Sequence, residues 1–336
     1  MSLVCAFVMA FSMTTAVYAV AQAEDPVTVK IEDYFKLTNA GTESPAQTFS
    51  FSITKDGFYA TGLKSDGEAV TEDDVPLPTV GTAVFAEGDA TTTGTKEDVE
   101  ITLPLTTDFP AVGIYKYIIK QNSTANTAGV GYVSSDIRLV VTVIEDENGK
   151  KVIGGVHTEL DDDDDKTDVI TNPYSAGTLT VEKEVTGNLG DKNAPFDITV
   201  TFTKPSGKTI GGSIYYGDKE IKPSDWKADG TVDAEITLKH GESVNFTNIP
   251  YGVTYTVVED DYTAAADGGY DAADYDYDDD DKTIDSALDE VLVTNHKGKT
   301  PDTGIIVNNL PYIAILAVVG LGFIVFFSRR RANDEI

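Results

Sequence analysis

Apolar and polar residues alternate with a period of two in many short runs of this chain, and no stretch between its two ends sustains a helical period. Residues 49–53, 115–119, 139–144, 196–202 and 255–258 are rich in β-branched and aromatic side chains and are separated by clusters of Gly, Asn, Asp and Pro. That pattern predicts short strands with one buried face, as in an all-β sandwich. A turn-rich segment at 172–177 closes one set of strands and a new strand starts at Thr178, which places domain one at 24–173 and domain two at 174–297. The halves echo each other in order. Each opens with a strand, a loop and a proline before a phenylalanine-led strand (Pro45 and Phe49, Pro195 and Phe196), and each closes on Thr-Asn (Asn172, Asn295). Two runs break the alternation. Residues 3–13 are almost wholly apolar and precede the small-x-small sites at 17–19 and 21–23, which predicts a signal peptide over 1–23. Its positive n-region is missing, so the expected start lies upstream of Met1. Residues 310–327 form an apolar run of about 18 residues, just enough to span a bilayer, and Arg329, Arg330 and Arg331 hold its far side in the cytoplasm.

Strand parity carries candidate chemistry, because side chains two apart share a face. In domain two, Lys183 is in phase with Leu179, Val181 and Val185; Glu259 is in phase with Tyr255 and Val257; Asn295 is in phase with Val291 and Val293. A lysine, a glutamate and an asparagine are thus aimed into one core from its first, penultimate and last strands. Desolvation disfavours both charges, lowering the lysine's pKa and raising the glutamate's. A neutral Lys183 is a nucleophile, and a protonated Glu259 can polarise the Asn295 carbonyl and relay a proton to departing ammonia, leaving an amide between two side chains. The alternative on parity alone is a buried Lys–Glu ion pair beside an asparagine. Domain one matches less well: Tyr115, Tyr117 and Ile119 lead in phase to Gln121, and Val27 and Val29 lead to Ile31 where a lysine is wanted. Lys30 and Lys36 both fall on the opposite parity, but Lys36 has the same 13-residue separation from Phe49 that Lys183 has from Phe196 and is kept as a candidate donor to Asn172.

Composition narrows the function. The only cysteine, Cys5, leaves with the signal peptide, so disulfides cannot staple the exported chain. A net charge of −31 disfavours nucleic acid and anionic lipid as partners. The acidic runs at 161–165 and 278–281 read as hydrated loops, since an interrupted EF-hand ligand spacing is absent. His157, His240 and His296 show no metal-ligand spacing and no serine sits in a nucleophile motif, so neither metal, cofactor nor hydrolytic activity is expected.

The segment Thr300-Pro301-Asp302-Thr303-Gly304, upstream of the apolar run and basic end, resembles the cell-wall sorting signal of Gram-positive surface proteins, with Thr300 where leucine is usual. The signal occupies 298–336. A simple membrane anchor would explain the helix and arginines but not the motif. The resemblance implies that a sortase cuts between Thr303 and Gly304 and passes the Thr303 carboxyl to an amine. The segments at 179–187, 255–262 and 293–297 further resemble backbone pilins of the streptococcal T-antigen type. That likeness implies two tandem immunoglobulin-like domains, a Lys183–Asn295 isopeptide bond promoted by Glu259, and assembly by sortase onto identical subunits or peptidoglycan. The family places a glutamate where domain one has Gln121, so the Lys36–Asn172 bond is expected to be absent or slow. It also places a polymer-accepting lysine shortly before the last strand of domain one, which Lys166 matches, with Lys150 and Lys151 behind it. The expected protein is a secreted, wall-anchored shaft subunit and no enzyme beyond its own single-turnover cross-linking. A monomeric adhesin or pilus-base subunit meeting host surface or matrix proteins is the alternative; the membrane is touched only through the anchor.

Overall fold

The computed structural model describes residues 26–122, 126–160 and 168–299. The signal peptide, the acidic run 161–165 with Lys166, the sorting motif 300–304 and the apolar run 310–327 lie outside the described residues. Among the described residues, nine strands precede the Tyr174–Ala176 junction: β1 (Thr28–Leu37), β2 (Gln47–Ala60), β3 (Thr79–Val80), β4 (Thr82–Phe85), β5 (Thr95–Thr102), β6 (Gly113–Asn122), β7 (Ile137–Glu145), β8 (Lys151–Leu160) and β9 (Val169–Tyr174). Nine follow it: β10 (Ala176–Thr186), β11 (Phe196–Thr203), β12 (Ile214–Tyr216), β13 (Lys219–Ile221), β14 (Thr231–Leu238), β15 (Ser243–Pro250), β16 (Thr254–Glu259), β17 (Asp274–Tyr277) and β18 (Leu288–His296). The protein is all-β, as its alternation predicts.

In domain one a sheet ordered β3-β5-β1-β9 faces one ordered β4-β2-β6-β7-β8; in domain two a sheet ordered β13-β12-β15-β10-β18-β17 faces one ordered β14-β11-β16. The alternation seen in the sequence is met strand by strand. β11, for instance, buries Phe196, Ile198, Val200 and Phe202 and turns Asp197 and Thr203 outward. Each domain has its own core, Val27 to Ala176 in one and Leu179 to Val293 in the other. Between them, Asn39 donates to the Ala176 carbonyl and the Tyr251 hydroxyl at 2.8 and 2.7 Å, and the Glu43 amide donates to Asn248 Oδ1 at 2.9 Å.

One topological feature positions the site. In each domain the first and last strands are parallel neighbours, β1 with β9 and β10 with β18, in otherwise antiparallel sheets. A bond across that ladder joins the two ends of a domain's chain.

Candidate functional site

The β10–β18 ladder pairs Lys183 with Val293 and Val185 with Asn295, so both polar side chains emerge on the core face one step apart. Glu259 comes from the facing sheet, on β16, where it pairs with Ile198. Lys183 is fully buried, Asn295 is 1% exposed and Glu259 7%. The Lys183 Nζ lies 3.1 Å from a Glu259 carboxylate oxygen. It also donates to Asn295 Oδ1 in close contact, to the Val293 carbonyl at 3.1 Å and to the Glu184 carbonyl at 3.2 Å. The three residues singled out by parity are therefore brought together.

What surrounds them keeps them dry. The Phe196 ring lies 4.5 Å under the Lys183 ammonium position. Val185, Phe196 and Tyr270 form a separate apolar cluster, with Tyr262 packed against it. Tyr262 and Tyr270 meet Phe196 edge-on at 4.9 and 5.2 Å. Burial in this wall pushes the Lys183 pKa down, against the pull of the Glu259 charge, and pushes the Glu259 pKa up, against the pull of Lys183. Both shifts favour a neutral amine beside a neutral acid. That is the protonation state in which an amine attacks an amide. The aromatic seal was not anticipated from sequence, although Phe196 could have been found by its two-residue phase with Ile198 and Val200.

Domain one repeats the scaffold with other residues. The β1–β9 ladder pairs Asp33 with Ile170 and Phe35 with Asn172, the same one-step offset that relates Lys183 to Asn295. Gln121 pairs with Phe51 on the facing sheet, as Glu259 pairs with Ile198. Asp33 thus stands where domain two has its lysine. It is fully buried, and Asn172 Nδ2 donates to its Oδ1 at 2.7 Å. Asp33 Oδ2, Asn172 Oδ1 and Gln121 Nε2 have no partner among the described residues. Burial raises the Asp33 pKa to about 7, with the Asn172 hydrogen bond acting the other way. Gln121 uses its carbonyl oxygen to accept from the Val133 amide at 2.7 Å.

This corrects the Lys36 assignment. Lys36 pairs with Pro173 on the opposite parity of β1 and is exposed, so its amine is on the outer face while Asn172 is in the core. Equal spacing to a phenylalanine misled because the connection is longer in domain one: Asp33, at the register position of Lys183, stands 16 residues before Phe49, whereas Lys183 stands 13 before Phe196. Asp33 was missed because a lysine was sought, although it falls in phase with Val29 and Ile31. Of the lysines considered as polymer acceptors, Lys150 is exposed and Lys151 donates to the Phe109 carbonyl; Lys166 lies outside the described residues.

The class these features define is a disulfide-free tandem β-sandwich with a buried amine–acid–amide site in its second domain. Residues 177–297 match a family described as a domain of unknown function (DUF7601). The chain is 26% identical over 318 residues to a pilin of Streptococcus pyogenes serotype M1, covering 88% of each. The fold is similar to that of the S. pyogenes major pilin T3.2 (TM-score 0.53, 21% identity, 84% of this chain and 99% of that one). It is equally similar to another S. pyogenes major pilin structure (TM-score 0.52, 21% identity, 82% of this chain and all of that one). The resemblance to streptococcal backbone pilins holds over nearly the whole chain.

Proposed function

We propose that the protein is the structural subunit of a covalently polymerised surface pilus, stiffened by one internal isopeptide bond between Lys183 and Asn295. The observation that carries this reading is the buried, water-excluded trio that ties the first strand of domain two to its last. The similarity to pilins across both domains supports it. In the reaction, the neutral Lys183 amine attacks Asn295 Cγ and a C–N bond forms. The protonated Glu259 holds the amide oxygen, then passes a proton to the departing Nδ2 and recovers one from the former amine. The C–Nδ2 bond breaks and ammonia leaves. Atoms balance with no other reactant, and the held geometry replaces an encounter in solution.

Polymerisation uses the other chemistry. A sortase cleaves after Thr303 and transfers its carboxyl to a lysine of the next copy, with Lys166 as the acceptor, or to peptidoglycan for the last copy. The pilin is then a secreted, wall-anchored substrate of enzymes in a Gram-positive bacterium. Detergent-boiled wall extracts, probed with antibody to the protein, should show a ladder of high-mass bands. Thr303→Ala should abolish the ladder, and Lys166→Ala should leave only monomer on the wall. A single monomer band from the wild type would replace the shaft by a wall-anchored adhesin or base subunit. A ladder unchanged in Lys166→Ala would move the acceptor to Lys150 or Lys151.

A further inference from the structure

Tyr59, Leu63, Ile114 and Ile144 are large apolar residues left exposed at one end of domain one. On the outer face of the β4-β2-β6-β7-β8 sheet Tyr59 pairs with Ile114 and Ile114 with Thr142, so these side chains stand in a row. With Val112 and Ile144 they line a cleft of about 420 Å³, within the ~300–1,000 Å³ of ligand pockets, and Glu145 is its one charged lining residue. Ile144 leans over the bare backbone of Gly154, where a Cβ would stand 2.9 Å from it. β2 starts at Gln47, beside Thr127, which bridges to Thr209 of domain two, and runs to Ala60. The cleft at Tyr59 therefore lies on the order of 40 Å along the strand from the domain junction. The other end of the molecule holds the chain's exit. β10 leaves the junction at Ala176 and β18 runs parallel to it, so Thr186 and His296 are paired at the far end of domain two. There the Asn188 side chain exchanges hydrogen bonds of 3.2 and 3.3 Å with the Lys299 backbone, and the exposed Leu189 donates its amide to the Lys297 carbonyl.

We propose that the Tyr59–Ile114–Ile144 cleft is the docking site for residues 299–303 of a second copy, seated with that copy's Leu189 at their base, in a non-covalent contact that holds the tail before its transfer. The proposal rests on the polymer reading above, and three observations select this occupant. Cleft and exit stand at opposite ends of the molecule, so the contact is heterologous and repeats from copy to copy instead of closing on itself. Only four residues carry the chain from Lys299 to Thr303, a reach of about 13–14 Å. A Thr303 joined to a lysine of domain one therefore brings its own Lys299 and Leu189 down onto that domain, and the β7–β8 turn bordering the cleft carries the exposed Lys150. Charge completes the match. In a chain of net charge −31, the segment from Lys297 to Thr303 holds two lysines against one aspartate. The cleft meets it with Glu145 in its wall and the exposed Glu147 on the adjoining turn. Lys299, itself exposed, is placed to face Glu145, and Pro301 supplies a ring of fixed φ for the apolar row, as proline-rich segments do in aromatic-lined grooves.

The test is made in Gram-positive cells that express the full chain with its sortase, with detergent-boiled wall extracts read on a blot. Tyr59→Ala/Ile114→Ala should lower the high-mass bands about tenfold, as truncation of an interface anchor does. Monomer should stay attached to the wall, because that step uses the variant's own Thr303 and not its cleft. An unchanged melting midpoint of the purified variant shows that it folds. Lys299→Glu and Glu145→Lys should each lower the ladder about twofold to fivefold, and the two together should restore it, which simple damage to the sortase's grip on the tail would not allow. A wild-type ladder that is unaltered in Tyr59→Ala/Ile114→Ala, or a charge exchange that restores nothing, would overturn the docking site and leave the pilus reading in place. Absence of a wild-type ladder would remove the pilus reading and the docking site with it. A concentration-dependent dimer of the purified wild type, lost in a Tyr59→Ala/Ile114→Ala variant whose ladder is intact, would overturn the tail as occupant and give the cleft to side-by-side pairing of copies.

Discussion

Domain one and domain two place a polar trio at the same three points of the same scaffold: first strand, facing strand, and last strand two residues beyond the first-strand partner. In domain two the trio is Lys183, Glu259 and Asn295; in domain one it is Asp33, Gln121 and Asn172. Only one of these sets contains an amine. An aspartate beside an asparagine has no nucleophile, and a glutamine cannot cycle between acid and carboxylate, so domain one keeps the geometry without the reaction. What remains there is a hydrogen-bonded clasp. One scaffold can therefore hold, at the same register, a polar set with an amine and one without, and the two domains of one molecule let that difference be measured against a common background.

The comparison breaks hardest at Glu259. Glu259→Ala removes the proton carrier, so the ammonia lost by the wild type should be retained in the variant, with Lys183 and Asn295 recovered in separate peptides. The proposed cross-link would close a loop of over a hundred residues, which is worth about 4–5 kcal/mol in the chain-entropy account. At about 4 °C per kcal/mol for a domain of this size, the domain-two melting midpoint should fall by roughly 15–20 °C, and Trp226, the only tryptophan, reports it by fluorescence. Domain one should melt where it did. A wild-type mass showing no deficit of ammonia against its sequence would end the isopeptide reading.

Restoring the missing groups sharpens it. Asp33→Lys with Gln121→Glu supplies an amine and a proton carrier at the register positions of Lys183 and Glu259. The double variant should therefore lose two ammonias in total, and tandem mass spectra should show the substituted position 33 linked to Asn172. The entropic gain of about 4–5 kcal/mol exceeds the usual overpacking cost of about 1–3 kcal/mol, so domain one should gain on the order of 2 kcal/mol. Asp33→Lys alone should be destabilised by about 3–5 kcal/mol, the range for a buried charge left uncompensated. A double variant that folds but keeps a deficit of one ammonia would show that register is not sufficient, and that an aromatic seal like that of Phe196, Tyr262 and Tyr270 is also required.

Much of this was legible in the chain. Two-residue phase alone separates Lys183, Glu259 and Asn295 from the surface, because a strand that buries Val181 and Val185 must also bury what stands between them. The same rule applied to β1 passes through Val27, Val29, Ile31, Asp33 and Phe35, and the inward aspartate was visible there. A search for a residue type and a spacing passes over it, whereas a search for any polar group in phase finds it. The apposition of Tyr59, Ile114 and Ile144 was not legible. It depends on which strands lie side by side in a sheet, and no periodicity within a single strand encodes that order.

The third expected effect distinguishes the domains by pH. Asp33 has its pKa raised to about 7 from an ordinary 3.8, so between those values the folded domain binds a proton that the unfolded chain does not. Stability then falls as pH rises, which is the reverse of a salt-bridged carboxylate. The full contribution is present below pH 4, is lost progressively through pH 7, and amounts to on the order of 4 kcal/mol. Protonation also converts Asp33 Oδ2 from an acceptor into a donor, the kind of partner that Asn172 Oδ1 lacks. Calorimetry at pH 5 and pH 8 should therefore show the domain-one transition shifting down at the higher pH. General relief of the −31 net charge acts in the same direction on both domains, so the decisive comparison is with Asp33→Asn, which keeps an amide partner for Asn172 and cannot ionise. In that variant the domain-one shift should shrink to the part due to general charge, and its stability at pH 8 should exceed the wild type's. An identical pH slope in variant and wild type would mean that Asp33 is solvated or ionised in the folded domain, and the clasp would lose its proton.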